Sequence, residues 1–188
     1  LAAVFSLPKN IIELCRKKSD SSFLTKFIND DFSFIRINII CNKTDSNNEL
    51  AIIISKNMMI IVNICDDFSF NQKSFLNVLS NTACESATLE KLICSFLETI
   101  AKQCSAQFDV QEEIAMLEKE VIDKNVCTNF AELLIEKKRE LLRLRAFYEQ
   151  LIDATEIYIE NENELLDEKS YKIFRLFRDK AVRYKENT

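Results

Sequence analysis

Glu136-Lys137-Lys138-Arg139-Glu140-Leu141-Leu142-Arg143-Leu144-Arg145-Ala146-Phe147-Tyr148 is the centre of a longer stretch, Thr128 to Asn163, whose reading decides the fold. Apolar residues recur along it at Phe130, Leu133, Leu134, Leu141, Leu144, Tyr148, Leu151, Ile152 and Ile159. That period places one apolar stripe on a helix and does not suit a strand. Glu136 with Arg139, and Glu140 with Arg143, stand three apart, so opposite charges adjoin on the face assigned to water. No Gly or Pro interrupts the run. At ~1.5 Å per residue the helix would be roughly 50 Å long, more than a small domain needs. Such a rod has to lie against other rods, and Leu141, Leu144 and Tyr148 are expected between them.

The flanks supply these partners. Ala87 to Asp123 repeats the pattern through Leu89, Leu92, Phe96, Ile100, Cys104, Phe108, Ile114, Leu117 and Val121. Glu168 to Tyr184 does so through Tyr171, Phe174, Phe177, Ala181 and Tyr184, which read as packing residues. Between the first two helices the polar stretch Lys124 to Asn129 can reverse the chain, with Asn129 as N-cap and Glu132 three residues on. The carboxy-terminal half is thus two long antiparallel helices followed by a third.

The amino-terminal part has a different period. Pro8 suits the first turn of a short helix, Pro8 to Lys17, and Lys18 to Ser22 is a polar loop. From Phe32 the alternation is two: Ile35, Ile37, Ile39 and Cys41 against Phe34, Arg36, Asn38 and Ile40. Asn42 to Asn48 reads as a surface turn. Glu49 to Ser55 and Met58 to Cys65 are β-branched runs expected as central strands covered on both sides. The Lys56-Asn57 link joins them as an antiparallel hairpin, with Asn57 at positive φ. Asn71 to Leu79 is a short helix. The fold class is therefore α+β. Residues 1–82 form a small α/β domain with part of its amino-terminal region outside this chain, and 83–188 are long helices. A charge shift near Asn81 to Ser86 marks the boundary.

Composition removes several classes of function. The 188 residues carry a net charge of −5, which argues against a phosphate-binding surface, and no basic patch with interleaved aromatics is read, so nucleic acid is not expected as a partner. There is no histidine, so the commonest acid–base group and soft-metal ligand is missing. Glycine is absent as well, which excludes phosphate-cradling glycine loops and removes most nucleotide enzymes, and no organic cofactor is expected. Asparagine is expected to take over at tight turns such as Asn47-Asn48, Asn57 and Asn125. Seven cysteines without a C-x-x-C pair read as buried reduced thiols, with Cys41, Cys65, Cys94 and Cys104 on apolar faces. No apolar run approaches the ~20 residues of a membrane span. An opening Leu1 and an end in mid-helix predict a soluble piece of something longer.

Acids gather twice. Asp109, Glu112, Glu113, Glu118, Glu120 and Asp123 crowd one long helix, and Glu156, Glu160, Glu162, Glu164, Asp167 and Glu168 crowd the end of the next. The plain reading is a solvated helix face; the sharper one is a site for hard divalent cations, which favour clustered oxygens. The following helix is basic, with Lys169, Lys172, Arg175, Arg178, Lys180, Arg183 and Lys185. No nucleophile–base pair or metal motif accompanies the carboxylates, and the chain is not read as an enzyme.

Three stretches together resemble the cytoplasmic domain of CorA-type magnesium channels. Phe5-Ser6-Leu7-Pro8-Lys9-Asn10-Ile11-Ile12-Glu13 is similar to that family's short helix after a phenylalanine–x–x–proline turn. Phe27 to Arg36 followed by Leu50 to Val62 is similar to its strand–turn–strand pair, and Arg139 to Arg145 to its second long helix. The resemblance implies an α/β/α sandwich, a pair of long helices and the start of a stalk helix that continues into the membrane. It implies a homopentamer on the cytoplasmic side of the membrane, gated by Mg²⁺ held between neighbouring domains. Glu13 stands about where the family has an acidic residue of that intersubunit metal site, with glutamate for the usual aspartate. The family's Gly-Met-Asn pore loop is not in this glycine-free chain, and the family also includes zinc, cobalt and nickel carriers. The rival reading is a helical scaffold that binds partner helices through its apolar stripes.

Overall fold

The computed structural model describes residues 7–18, 24–40, 47–56, 58–66, 69–83, 87–107, 115, 116, 119 and 130–188. Among them the elements follow in the order α1 (Lys9–Leu14), β1 (Thr25–Ile28), β2 (Phe32–Ile40), β3 (Asn47–Ser55), β4 (Met58–Cys65), α2 (Phe70–Asn81), α3 (Leu89–Gln107), α4 (Phe130–Glu160) and α5 (Glu168–Glu186). The four strands make one antiparallel sheet in chain order, so the class is α+β. The reversal at Lys124–Asn129, the acidic run from Asp109 to Asp123, Cys41, Asn57 and Asn125 lie outside the described residues.

The alternation from Phe32 sorts side chains to two covered faces. Ile35, Ile37 and Ile39 join Leu50, Ile52 and Ile54 on the face that meets α3, α4 and α5. Phe32, Phe34, Ala51 and Ile53 form the opposite face, closed by Ile11 of α1. The result is a helix–sheet–helix sandwich. The core on the long-helix side contains Ile37 and Ile52 together with Phe96, Phe147, Tyr158 and Phe174.

Two strand expectations need correction. Met58–Cys65, read as a central strand, is the sheet's edge among the described residues, and its side chains are only half-buried. A β-branched run reports apolar cover but not a second hydrogen-bonded neighbour. Asn47 and Asn48, read as turn residues, belong to β3, where they oppose Ile40 and Ile39, and Asn48 is fully buried. β1 escaped the periodicity altogether because four residues are too few to show one.

The decisive helix is unbroken over 31 residues. Tyr148 stacks on Tyr184 and Tyr158 lies against Phe174, with ring centroids 5.7 and 5.0 Å apart, so α4 and α5 run antiparallel. Ser170 bonds Glu90, and Lys180 bonds Glu98, which sets α3 parallel to α5. The chief helical partner of α4 is therefore the last helix, with α3 packed alongside. Leu144 and Tyr148 are buried as expected, and Leu141 is half-buried. Phe147, Ala154, Ile157 and Tyr158 are buried too, because α4 is covered by the sheet as well as by α5. Its buried arc is wider than one stripe. Glu140, assigned above to the wet face, is buried and takes its ion pair from Lys137 at 2.9 Å, not from Arg143.

The turn between α4 and α5 shows how a chain without glycine reverses. Asn161 takes the left-handed φ of 44° that usually falls to glycine after a helix. Its carboxamide closes the loop by accepting from Leu166 N and donating to the Leu166 carbonyl and the Tyr171 hydroxyl. Asp167 then caps α5 by accepting from Ser170 N at 3.0 Å.

Glu98 ties α3 to α5 and gives a pH signature. Burial raises its carboxyl, but hydrogen bonds from Lys102 and Lys180 outweigh that and hold it below the ordinary value of 4.5. A depressed folded pKa means the stabilisation is complete above the ordinary value and disappears as pH falls through the folded one. Lys180→Ala is expected to cost about 0.2–1 kcal/mol at neutral pH, and the deficit should vanish in strong acid. Urea midpoints of parent and variant at the two pH values provide the check.

Candidate functional site

Glu13 is exposed on α1, a six-residue helix that starts directly after Pro8. Ile11, two residues earlier, is fully buried against the sheet, so Glu13 falls on the helix side away from the core. What fixes this short helix is a group that the periodicity did not single out. Arg36 of β2 donates Nε to Glu49 Oε1 at 2.6 Å, Nη1 to the Leu14 carbonyl at 2.9 Å and Nη2 to the Lys17 carbonyl at 2.6 Å. The last carbonyls of a helix lack partners within it, and here a buried guanidinium bonds that of Leu14 and, in the turn beyond the helix, that of Lys17. Glu49 opposes Asn38 in the β2–β3 register, two residues along from the Ala51 that opposes Arg36, so the ion pair is diagonal on the α1 face.

Both charged side chains are almost fully buried, at 5% and 1% exposure. Buried charges demand each other, and the signal for this was present: an arginine in a strand whose neighbours are isoleucines needs a carboxylate within reach. The pair joins α1, β2 and β3 into one unit and thereby sets where Glu13 stands.

The second acidic run is not gathered into a ligating cluster. Asp167 is occupied as the α5 cap, and Glu164 sits in the turn at φ 52°. Glu156 and Glu160 lie instead on the α4 side that faces β1. Among the described residues no group of three His, Cys, Asp or Glu side chains could hold a metal ion. Of the described cysteines, Cys94 and Cys104 are buried and Cys15 and Cys65 half-buried, all unbridged. Burial, helped by Glu90 and Glu98 and opposed by Lys180, pushes the Cys94 thiol up to about 12. No helix among the described residues is long and apolar enough to cross a membrane.

No protein-family model matches the sequence, and no curated protein matches it. Solved structures do. The soluble domain of CorA from Methanocaldococcus jannaschii superposes with a TM-score of 0.71 at 12% identity, over 98% of this chain and 77% of that one. The complete CorA magnesium transporter from the same organism gives a TM-score of 0.71 at 11% identity, over 98% of this chain. This chain spans 61% of that transporter's length. From α1 to α5, then, the chain has the fold of a CorA soluble domain.

Proposed function

We propose that this chain is the cytoplasmic sensor region of a CorA-like divalent-cation channel, with Mg²⁺ as the regulatory ion. The observation that carries the reading is the fold match over 98% of the chain, which includes the sheet, α1 and the long helices in order. The resemblance in α1 adds Glu13 as one ligand of a regulatory site. Mg²⁺ holds its water unless several oxygens converge, and one exposed carboxylate does not meet that need. The missing oxygens cannot come from α5 of the same chain, because the sheet separates α1 from α5. In this reading a neighbouring copy provides them, as in a pentamer of the whole protein.

In this reading low Mg²⁺ leaves carboxylates of adjacent copies repelling one another, and the bound ion neutralises them and locks the ring. The shift between states is limited by the difference in Mg²⁺ affinity of the two. Which cation the whole protein conducts is decided by pore residues that do not belong to this chain.

The 188-residue chain tests the shared-site idea directly. It is expected to sediment as a monomer or weak oligomer and to bind Mg²⁺ only at roughly millimolar levels or weaker. Calorimetry showing tight, stoichiometric Mg²⁺ binding by a monomer would overturn the shared site. A helix-binding scaffold would instead capture amphipathic peptides without any response to Mg²⁺.

A further inference from the structure

β1 is the other edge of the sheet among the described residues. Asn29 N donates to the Phe32 carbonyl, and the register continues through Phe27↔Phe34 and Thr25↔Arg36. Backbone bonds in an antiparallel pair alternate, so these are the residues bonded to β2, whereas Leu24, Lys26 and Ile28 turn N–H and C=O outward. An outward row of this kind accepts another strand.

The space beside that row is shaped and charged. A groove of about 570 Å³ opens between β1 and α4, lined by Leu24, Lys26, Glu149, Asp153, Glu156 and Glu160, with Ile157 as apolar floor. The acids follow one another at intervals of three or four residues, which brings them to one side of the helix about 4.5–6 Å apart. Side chains on one face of a strand recur about every 6.6–6.8 Å. The two repeats differ by about 1–2 Å per step, which long, flexible lysine or arginine side chains can span. Glu149 is answered by Lys185 at 2.8 Å, whereas Asp153, Glu156 and Glu160 make no ion pair with any described residue.

We propose that this groove docks an extended basic segment of a partner protein, which pairs with the outward edge of β1 and sets alternate lysine or arginine side chains against Asp153, Glu156 and Glu160. Edge pairing supplies the affinity and the acidic side of α4 supplies the selection for charge. The inference stands on the groove alone and does not depend on the channel reading.

A fluorescein-labelled heptapeptide of alternating lysine and valine is the probe, with an alternating glutamate–valine peptide as control. Fluorescence anisotropy should show binding of the basic peptide only, and amide exchange should slow at Lys26 and Ile28. Asp153→Lys combined with Glu156→Lys, both at exposed positions, should weaken binding on the order of tenfold or more. Lys26→Pro separates backbone from charge. It removes an outward N–H that β2 does not use, which edge strands tolerate, and it also removes a cation from the groove. Charge alone predicts tighter binding to this variant; strand pairing predicts loss. The proposal is overturned by unaltered or tighter binding to Lys26→Pro, by equal binding of the acidic peptide, or by no binding of the basic one. Protection of β1 that rises with protein concentration without peptide would assign the edge to a second copy and overturn it too.

Discussion

Arg36→Ala is expected to destabilise the protein by about 3–5 kcal/mol, the range found when one partner of a buried ion pair is removed. The loss has two sources in this fold. Glu49, at 1% exposure, keeps its charge in the interior without its guanidinium. The Leu14 and Lys17 carbonyls lose their donors, and with them α1 loses its polar attachment to β2. Apolar contacts, with Ile11 at their centre and Leu7, Leu14 and Cys15 packed around it, then hold the helix to the core. Arg36→Met combined with Glu49→Leu should regain the part of the loss that comes from the buried charge, because the desolvation penalty leaves with the two charges, while the Leu14 and Lys17 carbonyls stay without the guanidinium. Urea unfolding of the parent, both single variants and the double variant gives the coupling energy from one cycle. A single variant within about 1 kcal/mol of the parent would show that the pair is solvated and the clasp on α1 unimportant.

Leu144 gives the second large effect. It is 3% exposed, in the part of α4 flanked by Phe147 and Tyr148 that meets the shared core. Leu144→Ala should cost about 2–5 kcal/mol, transfer and cavity terms together. Leu144→Asp should cost more, since it adds a buried carboxylate with no partner. Leu142, two residues away and 66% exposed, is the internal control: Leu142→Asp should stay within about 0.5 kcal/mol of the parent. Equal denaturation midpoints for the Leu144 and Leu142 variants would mean that α4 is rotated from the orientation described here.

These two sites also show which parts of the fold can be read without coordinates. Leu144 and Tyr148 were legible because a helix repeats every 3.6 residues and both lie on its main stripe. Ile35, Ile37 and Ile39 were legible for the same reason at period two. Phe147 and Tyr158 were not, because their burial depends on the sheet packing against a second side of α4, a contact between segments far apart in sequence. The partner of Glu140 was misread for a related reason: Lys137 and Arg143 are both at helical spacing, and only the surroundings select between them.

The α1 region divides in the same way. Pro8 announced the helix, and the resemblance placed Glu13 on it. The Arg36–Glu49 pair that holds the helix in place follows from the β2–β3 register, which no local pattern reveals. Asparagine replaces glycine at the left-handed Asn161, but Ser69 and Glu164 hold the other left-handed positions among the described residues, and the sheet drew Asn47-Asn48 into β3. Backbone tolerance says which residue can make a turn. Strand pairing says where the turn falls.

The central claim is that α1 carries part of a Mg²⁺ site shared between neighbouring copies of the whole protein. Amide hydrogen exchange of Lys9–Leu14 in the full-length protein, with and without saturating Mg²⁺, tests it most directly. The account predicts that Mg²⁺ slows exchange throughout this helix, that Glu13→Ala abolishes most of that protection, and that Arg16→Ala, an exposed neighbour, leaves it intact. Exchange in α1 that is indifferent to Mg²⁺, or protection that survives Glu13→Ala unchanged, would contradict it.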